Sequence, residues 1–464
     1  MLPLQSNAHK RCITLTIGIA LLLGLLGYPA ATPAYATDAA GLVTALNGWS
    51  GGGSGTLAAV ANGDTVTVTG TVTNATSTLT MAINSEVTVD WKASLSSQSS
   101  YYAISVSGAG TFRLSSGSVT IAGTSGSCYG VSVNATTVVL SGDARISVTG
   151  CAYSYGISLD GGADLTMNGG EVQVQGTAAS YGIHQGSIEG AYSGIFNGGK
   201  ITASGSGYVA AIYAEDGWAF PSPDLEPLDG ASLTITGGEY HANLVSPSST
   251  SSYACVVCAL WPYTRERTVT VSGGVFTATG HKLNPFTITS IPTPDATTAI
   301  HLWHTKLHVT GGTLNAAAGD TALSVVNDIG EEIRISGGDF VGGTRVLYRR
   351  ANPDPLSCEV SGSTIIRAQA GDTSLVDEGC TIESGIVYSG NAATVHGDTT
   401  LDDDFTIANG ETLTIPANAT LSIPAGTTLK VDAGGTLINN GTLVNNGLLV
   451  VDGTLQNNSA FSGT

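Results

Sequence analysis

The chain is poor in charge. Only 11% of its 464 residues are charged, and 16 basic residues face 35 acidic ones, a net of −19. A surface of that sign repels phosphate backbones, so nucleic acid is not an expected partner. Lys, Glu and Leu are too few for a helical chain, while the apolar and β-branched content is too high for a disordered one. Long apolar runs are also lacking. The one candidate, residues 13–27, is short for a membrane span and no second follows, so the mature chain should not cross a bilayer by helices. It follows His9, Lys10 and Arg11 and precedes Ala34-Tyr35-Ala36, the order of a secretory signal removed after Ala36. Without residues 1–36 the chain keeps 14 basic and 35 acidic residues, net −21, a charge suited to a soluble exported protein.

Glycine is abundant, at 62 residues, and it is ordered. The phrase VTVSGGVF at 269–276 recurs as LTMNGGEV from Leu165, LTITGGEY from Leu233, LHVTGGTL from Leu307 and IRISGGDF from Ile333. Each is an alternating apolar–polar run, a Gly-Gly, and a second alternating run. Period two marks a strand with one buried face, and Gly-Gly permits backbone angles that other residues avoid, so each phrase reads as strand, bend, strand. Bend glycines at 117, 142, 170, 199, 238, 274, 312, 338, 362 and 385 are spaced 25, 28, 29, 39, 36, 38, 26, 24 and 23 residues apart. A second landmark, Tyr102-Ala-Ile, Tyr129-Gly-Val, Tyr155-Gly-Ile and Tyr181-Gly-Ile, steps by 27, 26 and 26. Two landmarks per period and no helical pattern between them predict an all-β parallel β-helix over 56–390.

Ahead of it, residues 37–55 read as a cap helix, started by Thr37-Asp38 and carrying Leu42, Val43 and Leu46, then a glycine link, with strands beginning near Asp64. Extra length around 216–230, 245–253 and 281–298 is Pro- or Ser-rich and predicts loops on one side of the rod. From 391 to 464 the rhythm shortens. Phe405, Leu413, Leu421, Leu429 and Leu437 recur every eight residues, then Leu443, Leu449 and Leu455 every six. Three octads or four hexads fill one coil, so the tail is expected to continue the same rod. The tail carries no cell-wall sorting signal or membrane-barrel pattern, so the expectation is either attachment to a cell wall through a further C-terminal segment or attachment by another route.

The DAAGLVTAL opening from Asp38, the GDTVTV strand from Gly63, VTVDWK from Val87 and the serial Ser-Gly-Gly coils resemble bacterial surface proteins with a pectate-lyase-like adhesive domain, over roughly 37–390. The resemblance implies a right-handed parallel β-helix displayed outside the cell, a non-catalytic adhesin for carbohydrate or a host glycoprotein. Fold alone does not transfer function, so a pectin-degrading type of lyase or hydrolase and a passive stalk of a larger protein stand as alternatives.

Six cysteines follow the signal. Cys128 and Cys151, and Cys358 and Cys380, are separated by 23 and 22 residues, about one coil, and Cys255 with Cys258 is a third candidate pair. An exported chain can hold disulfides; a buried reduced ladder is the alternative for Cys358 and Cys380. His301, His304 and His308 do not converge on a strand, and no metal or cofactor is expected. Asp402-Asp403-Asp404 reads as a solvated turn. For ligand binding, Trp218, Trp261 and Trp303 lie 43 and 42 residues apart, with Phe220, Tyr263 and Phe286 nearby. Aligned on successive coils they would form an aromatic strip for sugar rings; packing of loops onto the rod is the alternative.

Overall fold

The computed structural model describes residues 37–463, apart from 99–100, 124–125, 188–192, 217–231, 248–251, 261–266, 281–296, 304, 327–331 and 351–356. The signal segment, and most of the three long insertions, lie outside the described residues.

The body is a β-solenoid with three walls per coil. Alternating runs before each bend form the first wall, in which Leu233, Val269 and Leu307 stand side by side in parallel register. Runs after the bend form the second, as in Tyr240, Phe276 and Leu314. The strands that begin at the tyrosine landmarks form the third, as in Tyr102, Tyr129, Tyr155 and Tyr181. Pairing between adjacent coils is parallel throughout the middle of the molecule. Inward positions of all three walls, among them Val269, Phe276 and Val257, are fully buried in one continuous core.

The two glycines of a bend do different work. A Cβ on Gly273 would stand 2.3 Å from the Thr236 carbonyl oxygen of the preceding coil, so the first glycine permits close approach of backbones. Gly274 has φ +95°, the left-handed region, so the second supplies the angle. Gly311 and Gly312 divide the roles identically, with 2.6 Å to the Ser272 oxygen and φ +93°.

At the N-terminal end the helix Ala39–Gly48 is capped by Asp38, whose carboxylate accepts from Gly41 N–H at 2.8 Å, and it buries Leu42 and Leu46. The glycine link is shorter than expected. A strand, Ser54–Asn62, pairs antiparallel with Thr65–Ala75 across a two-residue turn, Gly63-Asp64, in which Gly63 takes φ +59°. Asn47 of the helix covers this strand's outer edge: its amide donates to the Ala59 carbonyl (3.0 Å) and its carbonyl accepts from Ala59 N–H (2.8 Å).

The tail departs from the expectation. Strand direction reverses at Gly390, where Gly385–Ser389 pairs antiparallel with Ala392–His396. Beyond it the tail has three walls of its own, in which Ala393, Leu413, Leu437 and Leu455 make one stack, Thr399, Leu421, Leu443 and Phe461 a second, and Phe405, Leu429 and Leu449 a third. Leu413 to Leu437 spans 24 residues and Leu437 to Leu455 only 18, so three hexads, not four, complete a turn. Nor does the tail extend the body's core. Val387 packs on the body's core, whereas Ile386 and Tyr388 on the opposite face of the same strand join the tail's. The last sheet of the body is thus a party wall between two cores. Because strand direction and enclosed face both invert there, the two solenoids wind with the same hand. Arg367 fastens the joint, stacking 4.4 Å over Tyr388 and pairing with Glu411 (3.4 Å) and Asp339 (3.7 Å).

Both one-coil cysteine pairs are disulfide-bonded, Cys128–Cys151 and Cys358–Cys380. Cys255 and Cys258 are not: both thiols are free and buried, and Cys255 donates to the Val257 carbonyl. Burial first, and then Cys255, push the Cys258 thiol well up, so little of the thiolate needed for disulfide chemistry exists.

Candidate functional site

The third wall breaks the rule of alternation, and the break creates the site. Tyr129 and Val131 are two apart, yet Tyr129 faces out and Val131 lies in the core. Gly130, between them, sits at an inner corner where a Cβ would stand 2.7 Å from the Gly156 oxygen and from Ile146. Gly156 and Gly182 occupy the same corner on the next coils. The corner turns a ring outward on the rungs of Tyr129, Tyr155 and Tyr181, and the next rung has Ala210 in that place.

Those rings form a ladder along the rod. Tyr102 to Tyr129 is 5.0 Å between centroids, Tyr129 to Tyr155 4.3 Å and nearly parallel at 6°, and Tyr155 to Tyr181 5.5 Å. Tyr213 continues it at 4.6 Å from Tyr181, and His184 lies parallel to Tyr213, 5.6 Å away, with its edge against Tyr155. Toward one end the face is closed: Tyr181, Tyr213, Tyr253, Cys255 and Cys258 are buried together. Toward the other it is open, with Tyr101 50% and Tyr153 43% exposed. Rings within the stack cover one another's faces, so they offer a ligand their edges and hydroxyls. Flat contact is left to Tyr101 and Tyr153.

Asp160 and Glu215 border the ladder. Tyr213 donates to Glu215 at 2.9 Å and His184 Nε2 lies 3.7 Å from its other oxygen. Burial raises the Asp160 carboxyl above its ordinary range, partly offset by His184. Burial likewise pushes Tyr102 up to about 12, with Tyr101, Tyr129 and Asp160 adding to the shift, and it raises Tyr155 as well. The phenols therefore remain neutral donors at physiological pH.

Of the six aromatics nominated from the sequence, Trp218, Phe220, Trp261, Tyr263 and Phe286 lie outside the described residues. Trp303 is half-buried and packs against the closed end of the tyrosine cluster. The tyrosine landmarks were the signal for the ladder, but as strand markers they gave no sign of facing outward. His301 is buried with Nδ1 3.0 Å from the Ser324 hydroxyl, while His308 stands on the first wall, 4.0 Å from Glu332. His304 lies outside the described residues. Among the described residues no group of three or more His, Cys, Asp or Glu is placed to hold a metal ion. Asp402 accepts from Ser363 and Asp404 from the Thr428 N–H, roles that tie turns together. A hollow of about 360 Å³ between Arg345 and Asp377 is lined by polar groups, but its Asp372 is already engaged by the Val346 and Ser374 N–H groups.

No family model, no curated protein and no solved structure matches the chain.

Proposed function

We propose that the chain is a secreted or cell-surface solenoid that binds carbohydrate, such as a host surface glycan, without cleaving it. The observation that carries this reading is the tyrosine face: phenol edges repeat at the spacing of the coils and two exposed rings border them. Sugars are bound through such pairings of aromatic surface with directed polar groups. Export is supported by the leader pattern and by two disulfides in a chain that otherwise has few cysteines.

A glycan array probed with the mature chain tests the reading, repeated with Tyr101→Ala and Tyr153→Ala. Specific binding reduced about tenfold by either change is expected, since removing an aromatic contact costs on the order of 1–2 kcal/mol. Incubation with soluble polysaccharides separates the alternatives. Chains recovered intact and bound support an adhesin, shortened chains an enzyme, and no binding at all a passive stalk.

A further inference from the structure

Several acidic groups elsewhere on the rod meet a basic side chain. Asp90 meets Lys92 at 3.1 Å, Glu171 meets Arg145 at 3.7 Å, Glu239 meets Lys200 at 3.2 Å and Asp432 meets Lys430 at 2.8 Å. The tyrosine face is different. Its strands, residues 102–107, 127–134, 153–160, 179–187, 208–216 and 253–260, contain no Lys or Arg. Among the described residues the basic group beside Asp160 and Glu215 is His184, which is charged only when protonated.

The two carboxylates occupy one row. Leu159 pairs with Gln185, which places Asp160 beside Gly186, and Gly186 pairs with Glu215. Two inter-strand steps separate them, about 10 Å between Cα atoms, and the His184 ring lies over the glycine between them. Among the described residues, Asp160, Glu215 and their neighbours do not form a group of three or more His, Cys, Asp or Glu that could hold a metal ion. A quaternary ammonium in an aromatic cage needs free ring faces, and the faces of Tyr129, Tyr155, Tyr181 and Tyr213 are turned to one another. An anionic glycan would meet like charge. What fits is a ligand with hydroxyls for the phenol edges and separate positive charges for the carboxylates.

We infer that this face binds a glycan bearing free amines, an oligomer of 2-amino-2-deoxyhexose whose ammonium groups pair with Asp160 and Glu215 while its hydroxyls meet the edges of Tyr129 and Tyr155. The inference rests on the carbohydrate reading and narrows it. Half-burial makes the charge on Asp160 costly in the free protein, and an ammonium partner would relieve that cost.

Calorimetric titration of the full mature chain with four tetramers tests it: glucosamine, N-acetylglucosamine, galacturonate and lysine. The glucosamine tetramer should bind at least about tenfold more tightly than the others, because a hydrogen bond to a charged group contributes on the order of 1.5–3 kcal/mol. Asp160→Asn and Glu215→Gln should each lose about tenfold. Glu171→Gln, which removes equal charge from another wall, should lose nothing. Thermal unfolding of each variant verifies folding. If the acetylated tetramer binds as well and Asp160→Asn is silent, the amine inference fails and the carbohydrate reading stands. If tetralysine matches the amino sugar, charge alone is recognised and the inference fails. If no saccharide binds, both fall.

Discussion

The division of labour within each Gly-Gly pair can be measured by adding one methyl group. In Gly273→Ala the new Cβ would stand 2.3 Å from the Thr236 carbonyl oxygen, a backbone atom with no rotamer to escape into. Ordinary contact requires that oxygen to retreat by about 1 Å, in a ladder whose strands stack about 4.8 Å apart. Overpacking of this kind costs about 1–3 kcal/mol, and each strained ladder hydrogen bond adds about 1 kcal/mol, so a loss of about 3 kcal/mol or more is expected. Gly426 isolates the other term. Its φ is +89° and nothing lies within 4 Å of an added Cβ, so Gly426→Ala should cost only the left-handed backbone, about 1–2 kcal/mol. Urea unfolding gives the totals. A solenoid opens in parts, so hydrogen exchange at the Val275 amide, which bonds to the Gly238 carbonyl at 2.9 Å, locates the damage. Were Gly273→Ala to cost no more than Gly426→Ala, close approach would not be the reason for the first glycine.

Three further outcomes follow from the same geometry. Cys358→Ser opens a loop of about one coil and should destabilise the junction region by about 3 kcal/mol under oxidising conditions and by nothing under strong reductant, as read by thermal unfolding in each. The Asp160 carboxyl is raised by burial relative to the unfolded chain, so the folded state holds its proton longer and stability falls as pH rises from the ordinary carboxylate range through the folded pKa. Asp160→Asn should therefore raise the melting temperature at pH 7 and leave it unchanged at pH 3; a lower value at pH 7 would refute the assignment. Asn47→Ala uncovers the N–H and carbonyl of Ala59 on an edge strand, and light scattering should show concentration-dependent association where the parent chain stays dispersed.

Much of the body was legible because its constraints are local and repeated. A bend glycine at each of the ten predicted positions has positive φ, from Gly142 at +60° to Gly385 at +122°. The change of rhythm at Gly390 marks the reversal that begins the second solenoid. Less was legible where a few residues changed the sense of a pattern. Gly63-Asp64 was a hairpin signal hidden beside a glycine-rich link. Gly130, Gly156 and Gly182 read as strand residues, although each shifts the side-chain parity that alternation relies on. The tyrosines beside them consequently read as landmarks and not as surface.

By itself the sequence determined the coil. Period-two alternation fixes which side chains can be buried, and glycine at a fixed interval fixes where the backbone turns, because both effects act within a few bonds. The tertiary structure alone decided which rings, carboxylates and cysteines became neighbours. Asp160, His184 and Glu215 follow one another at steps of 24 and 31 residues in the chain and meet only because stacked coils bring successive periods to the spacing of a β-sheet. The party wall at Ile386 and Val387 is the same lesson in apolar form. Two adjacent residues serve two cores because a strand has two faces, and only the complete fold shows what lies against each.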